Sequence, residues 1–204
     1  FHSYLQKHSI PLESVMSKAW NKKIFKHIQE HVDQASKDLA DERGACPDAA
    51  DYGYNERFSN KTAIAPTASI SIICGGASPG VEPVAANSYT HKTLSGSFNV
   101  RNRYLVELLE KHGKNTDDVW SGITTNQGSV SHLDFLTDLE KDVFKTAFEL
   151  DQKWIIELSG DRTPYISQAQ SINLFVPADI HKRELHKIHF DAWKKGLKSL
   201  YYCR

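Results

Sequence analysis

The sequence predicts an α/β fold, in the form of a sector of a barrel or sheet. Three observations predict it. Amphipathic helical stretches alternate with short apolar runs of strand type. Those runs are few and scattered along the chain. No internal repeat or low-complexity tract interrupts the 204 residues, so 1–204 reads as one segment without an internal boundary.

The elements follow in order. Residues 13–43 read as one long amphipathic helix, in which Trp20, Ile24, Ile28, Val32, Ala35 and Leu39 recur at steps of three and four. Gly44 is placed to end it, and Pro47 follows. Residues 48–60 are a polar connection. Residues 62–66 start a small apolar strand, and the hydroxyl-rich run 67–73 leads into a Gly-containing loop at 74–80. Residues 81–93 and 97–100 read as extended. A helix at 103–112 has Leu105, Leu108 and Leu109 on one face and ends at Gly113. Thr116 is an N-cap candidate for a short helix at 116–123. Further helices are expected near 132–137, at 139–147 and at 151–158, the last closed by Gly160. Residues 171–176 alternate like a strand. Asp179 is read as the cap of a last helix with Leu185, Ile188 and Ala192 on its inner face and Gly196 at its end. Residues 197–203 are a final strand.

Composition narrows the function classes. Lys+Arg and Asp+Glu both number 25, for a formal net charge of zero. A general nucleic-acid binder would show a basic excess. A local phosphate site remains open, because backbone N–H groups and hydroxyls can build one without charge. The three cysteines, Cys46, Cys74 and Cys203, are odd in number and widely spaced, with no zinc pattern. They point to a reducing compartment, hence a cytoplasmic location. No apolar stretch approaches a membrane span. The first residues, Phe1-His2-Ser3-Tyr4, show no signal-peptide pattern. Both ends read as cut from something longer.

Two short segments carry chemistry. In Ala65-Pro66-Thr67-Ala68-Ser69-Ile70-Ser71, small side chains allow close approach to the backbone, and Thr67, Ser69 and Ser71 supply hydroxyls. If a helical turn starts here, its free N–H groups suit an anion. Read alone, the run is more simply a strand-to-helix corner with a capping hydroxyl. It is not a P-loop, since no GxxxxGK[ST] is present. The second segment is Lys198-Ser199-Leu200-Tyr201-Tyr202-Cys203-Arg204. Tyrosines in strands are ordinarily packing residues. Two stacked phenols can instead relay an electron when its proton also has somewhere to go. Neighbouring strand residues point to opposite faces, so stacking of Tyr201 on Tyr202 requires irregular backbone between them.

Other groupings read as structural. His27 with His31, and His186 with His189, are surface pairs lacking a third metal ligand. Asp161-Arg162-Thr163-Pro164 reads as a helix-ending turn with a local ion pair. Glu82 is read as facing the interior without a catalytic role. The tryptophans are core or interface anchors.

Taken together, five stretches resemble the large subunit of class I ribonucleotide reductases. They are Arg43-Gly44-Ala45-Cys46-Pro47, residues 60–71, Gly80-Val81-Glu82-Pro83, Thr93-Leu94-Ser95-Gly96-Ser97-Phe98 and Lys198-Ser199-Leu200-Tyr201-Tyr202. They occur in family order over nearly the whole chain. The resemblance implies a ten-stranded α/β barrel, of which this is the C-terminal portion, and reduction of ribonucleotides by a protein radical. It implies that Pro66, Thr67, Ala68, Ser69 and Ile70 hold the substrate phosphates and that Tyr201 and Tyr202 relay the radical. It implies no cofactor or metal bound by this segment. A metal and radical cofactor belongs to a separate small subunit, and nucleoside triphosphate effectors bind elsewhere. The implied partners are the remainder of the large subunit, that small subunit, a ribonucleoside diphosphate, and thioredoxin or glutaredoxin as reductant, with neither nucleic acid nor membrane. The family's redox cysteines match none of Cys46, Cys74 and Cys203, so the segment alone is expected to be inactive. A phosphate-binding or subunit-docking module that kept the fold and lost the chemistry is the alternative. An incomplete barrel is also expected to be marginally stable or to associate.

Overall fold

The computed structural model describes residues 1–94 and 96–204. Ser95, within the fourth stretch of resemblance, lies outside the described residues. The chain opens with α1 (His2–Lys7), which the sequence pattern did not reveal. The long helix follows as α2 (Val15–Arg43), capped by the Ser14 side chain accepting the Ser17 N–H. Gly44, with φ of 83°, ends it as expected. Then come α3 (Pro47–Asp51) and α4 (Ala68–Ile73). An antiparallel hairpin joins β1 (Ser88–Thr93) to β2 (Gly96–Arg101). Only the end of the expected extended run 81–93 is therefore a strand.

The second half is mostly helical. α5 (Arg103–Lys111) and α6 (Asp117–Thr125) lie where their periodicities put them, and Thr116 caps α6. Residues 132–137 form turns, not a helix. α7 (Asp138–Val143) is shorter than expected and is held by a capping box between Thr137 and Glu140. α8 (Gln152–Arg162) runs through Gly160 instead of stopping there. The reason is packing: a Cβ at Gly160 would stand 2.9 Å from Lys195 Cβ, so glycine admits the neighbouring chain. A 3₁₀ turn (Thr163–Tyr165) follows. α9 (Lys182–Lys194) is capped by His181, whose ring accepts the Arg183 N–H, and not by Asp179. Gly196 lies just past its end with φ of 75°.

The apolar stripe of α2 is not its buried face. Ser17, Asn21, Ser36 and Ala40 are buried, while Ile28 is exposed. α2 packs on α8, whose facing residues are polar. Lys18 pairs with Glu157 at 3.1 Å, and Lys22 with Asp161 at 3.3 Å. Asn21 donates to the Leu158 carbonyl at 2.7 Å. Asp161 thus pairs with lysines of α2, and the expected local pair with Arg162 is replaced. Arg162 is buried and donates to Gln170, Asn21 and Ser159.

The expected strands at 62–66, 171–176 and 197–203 appear as short parallel pairings. Residues 62–64 pair with 168–171 through an Ile64–Gln170 bridge, and 172–176 pair with 201–204 through a Leu174–Cys203 bridge. The segment 168–176 is thus paired on both sides, as in a parallel α/β layer. Helices cover it through Leu5, Ile155, Leu158 and Ile172 in one cluster and Ile156, Leu174 and Ala192 in another. A third cluster, centred on Leu105, Leu109, Trp120 and Ile123, joins α5, α6 and α7.

Candidate functional site

The two tyrosine rings lie side by side. Their centroids are 4.0 Å apart and their planes are inclined by 46°. Both are about half exposed. The neighbouring Tyr202 phenol raises the Tyr201 pKa above the ordinary phenol value. The Arg204 guanidinium carbon is 5.8 Å from the Tyr202 ring centroid. The backbone beneath the pair is irregular, with no regular strand assigned over residues 201–202.

The hydroxyl-rich turn is strained at its start. Thr67, the N-cap of α4, has φ 52° and ψ 28°. A β-branched residue in the left-handed region is an outlier that costs roughly 1–2 kcal/mol. Such strain persists only where surrounding contacts enforce it. Here Thr67 Oγ1 accepts the Gly80 N–H at 2.7 Å. Gly80 itself has φ 50°, and a Cβ there would lie 2.9 Å from the Ala65 carbonyl oxygen. The 74–80 loop is in turn tied to α1, because Ser3 and Ser78 exchange N–H to Oγ bonds of 3.0 and 2.7 Å. Pro66 and Thr67 are half-buried, and Ala68, Ser69 and Ile70 are exposed. The Ser71 hydroxyl turns back to the Ala68 carbonyl at 2.7 Å, whereas Ser69 Oγ has no hydrogen-bond partner among the described residues.

One grouping went unread in the sequence. Glu82 is buried, and its carboxylate Oε1 accepts from Asn173 Nδ2 at 2.6 Å. Burial pushes the Glu82 carboxyl above its usual range, opposed by the Asn173 bond and the charge of Arg204. Asn173 Oδ1 accepts the Tyr202 N–H at 3.1 Å. The available signal was an amide inside the apolar run 171–176. The remaining candidates stay structural: the His27 and His31 rings lie 4.0 Å apart, tilted by 48°, on the surface of α2, and the three cysteines are free thiols. Among the described residues, no group of three or more His, Cys, Asp or Glu side chains could hold a metal ion. Among the same residues, no helix is long and apolar enough to cross a membrane. A polar surface hollow of about 450 Å³, lined by Ser88, Thr90, Asn99, Arg101 and Asp117, contains neither segment.

The family model described as "Ribonucleotide reductase, barrel domain" matches residues 48–203. The chain belongs to the ribonucleotide reductase barrel family. The ribonucleoside-diphosphate reductase large subunit of Invertebrate iridescent virus 6 is 49% identical over 208 residues, spanning all of this chain and 22% of that protein. The corresponding protein of Invertebrate iridescent virus 3 is 45% identical over 207 residues, covering 100% of this chain and 32% of its own length. Among solved structures, the Actinobacillus ureae class Id ribonucleotide reductase alpha subunit superposes with a TM-score of 0.91 at 39% identity, over 99% of this chain and 37% of that one. The chain therefore spans about a fifth to a third of the length of these curated relatives. The expected kinship with class I large subunits and the expected α/β barrel class are both borne out.

Proposed function

We propose that this chain is the part of a class I ribonucleoside-diphosphate reductase large subunit that carries the tyrosine relay and the substrate-phosphate turn. The whole protein reduces ribonucleotides to deoxyribonucleotides by a radical mechanism. The observation that carries the reading is the contact of the two phenol rings at 4.0 Å. Packing alone does not call for adjacent strand residues to share one side, since regular strands alternate. A hole arriving at one phenol removes an electron and a proton together. The neighbouring phenol then gives up its own hydrogen atom to refill it, and the first O–H bond re-forms. Ring contact keeps that exchange short, and neither ring acquires a lasting charge.

Thr67, held left-handed by Gly80, presents the first turn of α4, with the Ser69 hydroxyl exposed beside it. Pro66, Thr67, Ala68, Ser69 and Ile70 would thereby hold the phosphates of a ribonucleoside diphosphate through N–H groups and hydroxyls. The remainder of the large subunit supplies the reacting cysteines. A separate small subunit supplies the radical through its metal cofactor, thioredoxin or glutaredoxin restores the thiols, and effector nucleoside triphosphates bind outside this segment. The compartment is the cytoplasm.

The test uses the full-length large subunit bearing this segment, with its small subunit and a ribonucleoside diphosphate. Deoxynucleotide should form in the unmodified protein and vanish in Tyr201→Phe and in Tyr202→Phe. Ser69→Ala should weaken diphosphate binding while leaving the fold intact. Full turnover in both phenylalanine variants would rule out the relay reading of the tyrosine pair.

A further inference from the structure

The irregularity under the tyrosine pair has a definite form. Toward the chain end, the parallel ladder is regular: Leu174 N–H donates to the Tyr202 carbonyl and Arg204 N–H donates to the Leu174 carbonyl, both at 2.8 Å. Continued backward in the same register, the Ile172 carbonyl would accept the Tyr202 N–H. It accepts the Tyr201 N–H instead, at 2.8 Å. Between these rungs one strand advances two residues, from 172 to 174, and the other advances three, from 201 to 204. This is a bulge of one residue, and it falls on the tyrosine pair.

A bulge rotates one side chain out of the alternating pattern, which lets neighbours share a side. It also strands an N–H, here that of Tyr202. An unpaired N–H beside the buried strand would be costly. The Asn173 side chain takes it, at 3.1 Å, in place of the missing backbone acceptor. Asn173 is itself 1% exposed, and its other amide atom is held by Glu82 at 2.6 Å. The orientation of the amide follows from its partners, because a backbone N–H needs the oxygen and the carboxylate needs the nitrogen.

We propose that Asn173 and Glu82 are positioning residues for the radical relay: Asn173 fills the acceptor place that the bulge leaves open, and Glu82 fixes the amide that does so. This rests on the relay reading of Tyr201 and Tyr202. Neither residue touches the phenol oxygens in this role; they set the backbone from which the rings project. A displacement of about 1 Å between reacting groups can cost on the order of a hundredfold in rate. Loss of the Asn173 contact should therefore slow turnover and leave substrate binding alone.

The experiment compares four forms of the full-length large subunit with its small subunit: unmodified, Asn173→Leu, Asn173→Asp, and the double variant Glu82→Gln with Asn173→Asp. Leucine removes both bonds at similar volume. Aspartate keeps the acceptor for Tyr202 but sets two carboxylates against each other. The double variant exchanges amide and carboxylate and restores both bonds. Asn173→Leu and Asn173→Asp should lower kcat at least tenfold, with KM for the ribonucleoside diphosphate within twofold, and the double variant should recover most of the loss. Unchanged kcat in both single variants, or a double variant no better than Asn173→Asp, overturns the proposal. Should Asn173→Leu fail to fold, the comparison of Asn173→Asp with the double variant decides alone. A crystal structure of a folded single variant separates this inference from the relay itself. Tyrosine rings that move out of contact support the positioning role even where Tyr202→Phe turns over normally. Rings still in contact at about the native spacing refute it.

Discussion

Replacing Arg162 removes a buried cation whose three donor bonds all end on neutral oxygens. Its Nε reaches Gln170 Oε1 at 2.7 Å, and its two terminal nitrogens reach Asn21 Oδ1 at 2.9 Å and Ser159 Oγ at 2.8 Å. The guanidinium carbon also lies 5.6 Å from the centroid of the Phe25 ring. Burial drives the Arg162 pKa down to about 9, so holding the charge there is costly in itself. Removing the side chain relieves that cost but leaves three buried acceptors without donors, at about 1–3 kcal/mol each. The net expected destabilisation for Arg162→Ala is about 3 kcal/mol, at the low end of the range for breaking a buried charged network. Arg162→Lys keeps the charge but replaces a three-way fork with a point donor, and should lose about 2 kcal/mol. Arg162→Met keeps much of the volume without donors, and should also lose about 2 kcal/mol. Native-state hydrogen exchange in the full-length subunit is the assay. The reporters are the amides of Ile64 and Ser171, which bond across the ladder that Gln170 shares. A loss of about 3 kcal/mol speeds their exchange on the order of a hundredfold, provided this region opens locally. Exchange within a factor of two of the parent in both Arg162→Lys and Arg162→Met would refute the reasoning, since neither fork geometry nor satisfied acceptors would then matter.

The packing leads to two further expected outcomes. His2 is buried and its ring accepts the Val84 N–H at 3.0 Å; burial above all lowers its pKa from 6.5 to about 3. A depressed folded value means that the unfolded chain binds the proton first, so stability is full above about pH 6.5 and is lost as pH falls toward about 3. His2→Asn, which keeps an acceptor, should flatten urea midpoints measured between pH 7 and pH 4; an unaltered slope would contradict this. Gly128 has φ 84°, and a Cβ there would stand 2.4 Å from Ala86 Cβ. Gly128→Ala should therefore cost about 3 kcal/mol by thermal unfolding, combining backbone strain with overpacking. A change below about 0.5 kcal/mol would show that the 86–87 segment yields freely.

What could be read in advance depended on how local its cause was. α5 and α6 announce themselves by leucine spacing and by the Thr116 cap, and the end of α9 by Gly196, because caps and periodicity act within one turn. Gly160 misled because its reason lies across space, in the approach of Lys195. The stripe on α2 misled for the same kind of reason. Its polar side, with Ser17 and Asn21, meets the charged flank of α8, and no feature of α2 alone reveals that partner. Of the runs 62–66, 171–176 and 197–203 that the sequence marks as strands, 62–64, 171–176 and 201–203 take part in pairing, over only a few rungs among the described residues. Thr67 illustrates a limit of propensity. Threonine is the wrong residue for a left-handed cap, and only the Gly80 bond explains it. The tyrosine pair was legible as a dipeptide, and so was the need for irregular backbone beneath it. The means of making that irregularity, an asparagine standing in for a carbonyl, was not legible, because it joins residues 82, 173 and 202.

The central claim is that Tyr201 and Tyr202 carry a radical between them. The most direct measurement replaces one of them, in the full-length subunit, with a more easily oxidised tyrosine analogue. The mixture with small subunit and ribonucleoside diphosphate is then frozen during turnover, and its paramagnetic resonance spectrum is recorded. The account predicts a new phenoxyl-type signal from the analogue, formed as the small subunit's radical is lost, and absent when the other tyrosine of the pair is phenylalanine. Turnover with no analogue-centred radical at either position would contradict it.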